Sequence, residues 1–438
     1  MANPTQIMLD IKLIRENPEA VKRGAAAKNV EVDVDAILKL DADRRALIGE
    51  SEALKAEQNR ASEEIAGEKD ADVKRQKIEA LRDVKERVKG LNDRLASAEA
   101  GLNAALRLIP NLPRPDVKVG KDDSENYVIR EFLEPTKFDF EPVDYMTLGE
   151  RLDIIDVERA GKVSGARFGY LKGDGALLEF ALVQYAMQTL LPEGFSPVIP
   201  PVLVNEKTMG GMGYLDRGRD EIYHLPEDNL FLVGTSEQSI GAMHTDEVLR
   251  EEELPRRYVG FSTCFRREAG SYGKDVRGIL RVHQFDKVEM LSFTRPEDSD
   301  AEHELLRDLE ERLLQGLRLP YHVLGICSGD LGDPAARKFD LEAWIPSQKT
   351  YRETHSTSTC TDYQARRLNM RLRRKDGSLE FLHTLNGTVF AVGRTIIAIL
   401  ENYQQADGTV RIPEVLVPFM HGRTVIEPPA SRQAGPRR

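Results

Sequence analysis

The sequence predicts an α+β protein: a mainly antiparallel β-sheet flanked by helices, behind an N-terminal antiparallel α-helical coiled-coil arm. Three observations carry that prediction. From about residue 37 to 109 the chain has no proline and repeats apolar residues every seven positions. Beyond Pro110, Pro113 and Pro115, runs of strand length such as "RRYVGFS", "YHVLGI" and "KFDLEAWIP" alternate with helical stretches such as "SDAEHELLRDLEERLLQGL". These runs lack a regular βαβ rhythm, which favours antiparallel pairing over a doubly wound parallel sheet.

Taken in order, the N-terminal "MANPTQIMLDIKLIRENPEAV" carries charges every few residues and has no apolar core, so no signal peptide is expected. No run approaches the length of a membrane span, and a cytoplasmic location is expected. Leu81, Val88, Leu95, Leu102 and Ile109 form one row of the heptad seam, and Val84, Leu91, Ala98 and Ala105 the second. Upstream, Leu40, Leu47, Leu54 and Ala61 recur likewise, but their companion row holds Arg44, Ser51 and Gln58. Polar "AGEKDAD" with Gly67 turns the chain between the two helices. Two helices of about 30 residues at ~1.5 Å each would span roughly 45 Å. A dimerisation or spacer coil is the alternative use. The prolines of "IPNLPRPDV" end the arm. The expected organisation is therefore an N-terminal domain over 1–112, a second domain over 113–425, and a disordered tail over 426–438, "IEPPASRQAGPRR".

Composition narrows the function classes. The 438 residues carry a net charge of -11, which excludes a generally basic nucleic-acid coat but not a local basic patch. Arg44, Arg45, Lys55, Arg60, Lys74, Arg75 and Lys77 place cations along the arm. Cys264, Cys327 and Cys360 form no CxxC pair, so neither a disulfide framework nor a cysteine–zinc cluster is expected. No GxGxxG follows a strand and no GxxxxGK[ST] occurs, so a bound nucleotide would need another phosphate site.

Two segments offer one. "CFRREAGSYGKDVRG", Cys264 to Gly278, sets Arg266, Arg267 and Glu268 before a glycine-bearing loop, between two strand-like runs. The guanidinium of Arg266 is a rigid fork suited to phosphate or carboxylate oxygens. An exposed hairpin with surface ion pairs is the alternative. "NGTVFAVGRTIIAILENYQ" places Arg394 at the start of an amphipathic helix, beside amides that favour an anion.

In these segments the chain resembles the seryl-tRNA synthetases, class II aminoacyl-tRNA synthetases, from Met8 to about Met420. "FRREAGSYGKDVRGILRVHQFDKVEM" resembles the second class motif and "NGTVFAVGRTIIAILENYQQADGTVRIPEVL" the third. "FALVQYAMQTLLPEGFSPVIPPVLV" corresponds to the first motif, at the dimer interface. "LVGTSEQ" matches the amino-acid pocket, and "YRETHSTSTCTDYQARRLNMR" the metal and substrate strand. The heptad hairpin before "IPNLP" matches the tRNA-binding arm.

The resemblance implies a class II synthetase-type antiparallel sheet, a homodimer, and a serine–tRNA ligase using ATP and Mg2+, without zinc. Arg266 would hold the ATP α-phosphate and the serine carboxylate, Glu268 the adenine, and Arg394 the γ-phosphate. The nucleotide set is completed by Arg267, Thr354 and His355. Glu353 and Ser356, the family's Glu-x-x-Ser, would hold Mg2+, a hard cation that takes oxygen ligands. The loop from Gly270 to Gly278 would close over ATP and the tRNA end. Thr235, Ser236 and Glu237 would receive the serine ammonium; Glu289, ionised, and Thr388 its hydroxyl, with Asn386 beside them. Such a site rejects alanine by leaving polar groups unpaired. Partners would be tRNA(Ser), with tRNA(Sec) as a further candidate, read by shape and backbone.

Position and charge neutralisation would drive the chemistry, and no general base is assigned; His283 and His383 are expected to be structural. The chain departs from the common bacterial pattern at Ser236, at Thr388-Val389 and at His355, which replaces a serine. Two other functions compete: a catalytically inactive synthetase paralogue that binds RNA, and an amino acid:carrier-protein ligase on the same catalytic domain.

Overall fold

A computed structural model describes residues 9–269 and 277–429 of the chain. It divides into two compact units, Met1–Pro110 and Asn111–Arg438.

The first unit is helical. Helices α1 (Ile11–Glu16) and α2 (Pro18–Ala27) precede the long pair α3 (Val34–Gly67) and α4 (Ala71–Arg107). Each start is capped by a short acceptor: Asn17 receives the Ala20 N–H, Asp33 the Ala36 N–H, and Asp70 the Asp72 and Val73 N–H groups. At 34 and 37 residues the long helices span roughly 50–55 Å, more than the 30-residue expectation. Leu47, Leu81, Val84, Leu91 and Leu102 bury the expected seam. The apolar-poor companion row is filled with polar partners. Arg44 Nε donates to Glu99 Oε1 at 3.1 Å, and Ser51 Oγ to Asn92 Oδ1 at 3.3 Å. At the base of α3, Asp41 accepts from Arg15 Nε and Nη2 at 2.7 and 2.8 Å. Arg45 Nε adds a third bond at 3.1 Å.

The second unit is built on an eight-stranded sheet. Its strands are β1 (Tyr127–Phe132), β2 (Phe195–Val198), β3 (Arg256–Phe265), β4 (Gln284–Thr294), β5 (Tyr321–Gly325), β6 (Arg337–Ile345), β7 (Thr350–Thr361) and β8 (His383–Ala391). Their order is β1-β5-β6-β7-β8-β4-β3-β2, antiparallel at every pairing except β2 with β3. Helices α5 (Asp174–Leu190), α6 (Ser299–Gly316) and α7 (Val392–Tyr403) bring Leu178, Leu182, Leu309, Leu313, Ile396 and Leu400 into one core with Val288, Met290, Leu341 and Phe390 from the strands. The strand period of two leaves Lys287 and Glu289, flanking Val288, for the other face.

Two of the sheet's bulges alter that alternation beside the cavity. Between β6 and β7, Leu341 pairs with His355 but Glu342 pairs with Glu353, so Thr354 is an extra residue. Between β4 and β8, Val288 pairs with Phe390 and Glu289 with Thr388, which makes Val389 the extra one.

The tail prediction needs correction at its start. Ile426 pairs with Val410 in a short antiparallel ladder and is buried, because its side chain joins the main core. Residues 430–438 lie outside the described residues. Among the described residues no helix is long and apolar enough to cross a membrane.

Candidate active site

A cavity of about 820 Å³ lies against the sheet face opposite the helical core, walled by the segments after β3, by β4, β6, β7 and β8, and by the start of α7. Among its lining residues are Thr235, Glu237, Arg266, Glu268, Glu289, Glu353, Thr354, Ser356, Asn386, Thr388 and Arg394. Side chains from five separated sequence segments thus meet in one space.

The two arginines enter from different elements. Arg266 leaves the end of β3, where its Nε donates to the Gly234 carbonyl at 3.3 Å and its guanidinium lies 5.2 Å from the Phe285 ring centroid. Its backbone is pinned by His283, whose carbonyl accepts the Arg266 N–H at 3.0 Å while its own N–H donates to the Arg167 carbonyl at 3.0 Å; His283 Nδ1 also lies 3.0 Å from the Arg266 carbonyl. Arg394 sits in the first turn of α7 and donates through Nη1 to the Glu353 carbonyl at 2.9 Å and to Glu353 Oε2 at 3.3 Å. Burial alone would raise the Glu353 carboxyl, but Arg394, Lys338 and Arg266 hold it at about 2, fully ionised at neutral pH.

Glu268 stands in the left-handed region at φ 53 and pairs with Arg281 Nη1 at 2.8 Å. Glu237 is fixed from two sides, accepting from the Tyr214 hydroxyl at 2.8 Å and from Gln364 Nε2 at 2.9 Å. Gln364 in turn accepts from Thr384 Oγ1 at 2.7 Å. Glu289 is 1% exposed and ion-pairs with Lys287. Burial pushes its carboxyl up to about 7, and the charge of Lys287 and its hydrogen bond oppose that rise.

Three residues in the sequence-based site set turn elsewhere. His355 goes into the core, its Nδ1 2.9 Å from Thr354 Oγ1 and its ring edge-on to Phe390, and burial lowers it to about 3, a neutral imidazole. The bulge at Thr354 is the cause, since it rotates the strand between Glu353 and Ser356. Ser236 is fully buried beside Gly260, where an added Cβ would stand 3.2 Å from its Oγ. Arg267 lies over the Tyr223 ring at 5.6 Å. Gly270 to Val276 of the expected closing loop lie outside the described residues. Gly278 is described and has φ +89.

Residues outside the expected site set also line the cavity, among them Tyr214, Phe285, Lys287 and Lys338. Strand period could have found Lys287, two residues before Glu289. Tyr214 and Gln364 reach Glu237 from distant segments, and no local pattern marks them.

Glu353 and Ser356 supply one carboxylate and one hydroxyl. Asp340, register partner of Ser356, keeps Oδ1 buried without a hydrogen-bond partner. Among the described residues no group of three or more His, Cys, Asp or Glu side chains is placed to hold a metal. A sparse, hard-oxygen set of this kind fits Mg2+, which is commonly held by one or two carboxylates with phosphate oxygens completing its shell.

Residues 8–113 match the family model of the seryl-tRNA synthetase N-terminal domain, and 223–403 that of the class II tRNA synthetase core domain (G, H, P, S and T). A serine–tRNA ligase of Nocardia farcinica is 48% identical over 425 residues, covering 97% of this chain and 100% of that protein. The chain belongs to the seryl-tRNA synthetase family. The Rhodococcus opacus serine–tRNA ligase is 47% identical over 96% of this chain and 100% of its own length. Among solved structures, the seryl-tRNA synthetase of Pyrococcus horikoshii, complexed with ATP, has a TM-score of 0.90 at 40% identity, covering 96% of this chain and all of that one. The cytoplasmic serine–tRNA ligase of Naegleria fowleri, in complex with AMP, has a TM-score of 0.85 at 34% identity over 96% and 99% of the two chains. The fold class and the serine–tRNA ligase assignment expected from the class motifs therefore hold.

Proposed function

We propose that this seryl-tRNA synthetase activates L-serine with ATP and transfers the seryl group to tRNA(Ser), acting as a cytoplasmic homodimer. The observation that carries this is the meeting of Arg266, Arg394 and Glu353 with Glu237, Glu289 and Thr388 in a single cavity. One end offers cations for a triphosphate; the other offers oxygens for an amine and a hydroxyl.

Arg266 holds the α-phosphate and the serine carboxylate together, and Arg394 takes the γ-phosphate. Glu268 meets the adenine. Thr235 and Glu237 orient the serine ammonium, and Glu289 and Thr388 its hydroxyl, beside Asn386. The serine carboxylate attacks the α-phosphorus in line, pyrophosphate leaves, and a terminal ribose hydroxyl of tRNA then displaces AMP from the seryl carbonyl. Glu353 and Ser356 would hold Mg2+, which supplies charge neutralisation for the phosphates. Arg266 and Arg394 neutralise phosphate charge as well, and the other residues contribute position.

Homodimer formation is supported by exposed apolar side chains along the first-motif segment: Phe180 at 58%, Leu191 at 46% and Ile199 at 85%. The arm supports a tRNA partner over the carrier-protein ligase alternative, and the intact cation and carboxylate set supports catalysis over an inactive paralogue.

The test is serine-dependent exchange of labelled pyrophosphate into ATP. Exchange with serine, its loss in Arg266→Ala, and poor exchange with alanine or glycine are expected. Absence of serine-dependent exchange, or preference for glycine or alanine, overturns the proposal. Charging assays with tRNA(Ser) and tRNA(Sec) establish whether the second is also an acceptor. Removing about Leu47 to Ala98 should spare exchange and greatly weaken charging; unchanged charging would return the arm to a spacer.

A further inference from the structure

Lys287 bridges the two ends of the serine half of the cavity. Its Nζ donates to Thr235 Oγ1 at 3.2 Å and ion-pairs with Glu289 Oε2. All three side chains are buried, with Lys287 8% exposed. Thr235 Oγ1 also receives the Glu237 N–H at 3.3 Å. An ammonium group of the protein therefore already stands between the group assigned to the substrate amine and the group assigned to the substrate hydroxyl.

We propose that Lys287 is a specificity-determining residue, whose ammonium keeps Glu289 in the ionised, acceptor-only form that requires a hydroxyl on the amino acid. It rests on the assignment of Glu289 to the serine hydroxyl. A buried carboxylate with no hydroxyl to accept from is costly, whereas a neutral carboxyl in the same place is cheaper to leave unpaired. Lys287 thus sets how severely alanine is rejected.

The charged and titratable groups around Glu289 come from every packed element. Lys287 is on its own strand, Arg266 and Cys264 are on or just beyond β3, Glu237 follows the Gly234 turn, and Glu310 reaches from α6. Of these, Glu237 opposes ionisation of Glu289, and Arg266 and Lys287 favour it, with Lys287 the larger, while Glu289 in turn disfavours ionisation of Glu310. Lys287 is thus the leading counterweight to burial.

The experiment uses the full-length enzyme carrying Lys287→Met, with Lys287→Arg and Glu289→Gln beside it. Pyrophosphate exchange is read as KM and kcat for serine, alanine and ATP between pH 6 and 9. The wild-type KM for serine should worsen as pH falls through about 7. In Lys287→Met that transition should move upward by about one to three pH units. The serine-over-alanine ratio at pH 7 should fall by on the order of tenfold or more, with the KM for ATP little changed and Lys287→Arg restoring most of the ratio. An unshifted serine profile and an unchanged serine-to-alanine ratio in Lys287→Met overturn the proposal. Glu289→Gln separates the two levels: if it leaves serine exchange and selectivity intact, the assignment of Glu289 itself is wrong. If it destroys them while Lys287→Met does not, only the role of Lys287 fails.

Discussion

Glu353 and Ser356 stand three residues apart on one strand and yet line the same cavity. In regular β-structure an odd separation puts side chains on opposite faces. The bulge at Thr354 adds the residue that restores a common face, and it sends His355 into the core in compensation. The Glu-x-x-Ser spacing of this strand is therefore functional only because the strand is irregular.

Removing Thr354 should regularise the pairing and separate the two oxygen ligands. Pyrophosphate exchange is expected to fall by about two orders of magnitude, the scale set by a misplacement near 1 Å. Far-UV circular dichroism should retain the arm's helical signal. Near-wild-type exchange would show that Glu353 and Ser356 need not act together.

Glu310 on α6 should be a stability liability that grows with pH. It is fully buried, both carboxyl oxygens lack a hydrogen-bond partner, and a Cβ on Gly387 would approach its Oε1 to 3.0 Å. Burial first, then the nearby Glu289 and Asp340, push its carboxyl well above the ordinary value. A raised acid favours the protonated fold, so its penalty is absent below the unfolded value near 4.5 and accumulates as pH rises above it. Glu310→Gln should raise Tm by about 2–4 °C at pH 8, the shift for roughly 1 kcal/mol, and by less at pH 5. An equal gain at both values would assign the effect to packing alone.

Asp41 should anchor the base of the arm. Its side chain is 1% exposed and accepts from Arg15 and Arg45. Burial would raise the carboxyl, but the Arg15 hydrogen bond and charge, with Arg45 and Arg44, bring it below its ordinary 3.8. A lowered acid contributes stability that is present above the unfolded value and lost as pH falls through the folded one. Asp41→Ala should cost the N-terminal unit about 1–3 kcal/mol at pH 7. The gap should close as pH is taken below about 4. Urea melts of the N-terminal unit's helical signal in the full chain measure both, and a pH-independent difference would contradict the pairing.

Gly278 should tolerate no side chain. Its φ of +89 is in the left-handed region, and a Cβ would stand 2.0 Å from the Tyr145 hydroxyl. That hydroxyl accepts from the Ile279 N–H at 3.1 Å and donates to the Arg277 carbonyl at 3.2 Å. Gly278→Ala should lower thermal stability by the equivalent of about 1–3 kcal/mol, more than Tyr145→Phe, which keeps the glycine. The reverse order would place the constraint on the hydroxyl rather than on the turn.

Much of this was legible in the chain itself. Heptad spacing announced the seam through Leu81, Leu91 and Leu102, because helical periodicity is local and survives without tertiary context. The class motifs placed Arg266, Glu268 and Arg394, because the order of those segments is written along the sequence. Strand alternation also puts Lys287 and Glu289 on one face, where the two can pair.

What only the tertiary structure decided is the direction and company of each charged group. Arg44 looked like a cation for RNA and is turned to Glu99; Ser236 and His355 fell inside matching motifs and face away from the cavity. Tyr214 and Gln364 converge on Glu237 across more than a hundred residues of chain for Gln364, a distance no local pattern spans. Sequence alone determines periodicity, and with it helix, strand and motif order. Bulges, burial and long-range pairing set where a side chain points and how it titrates, because those depend on neighbours supplied only when the sheet closes against its helices.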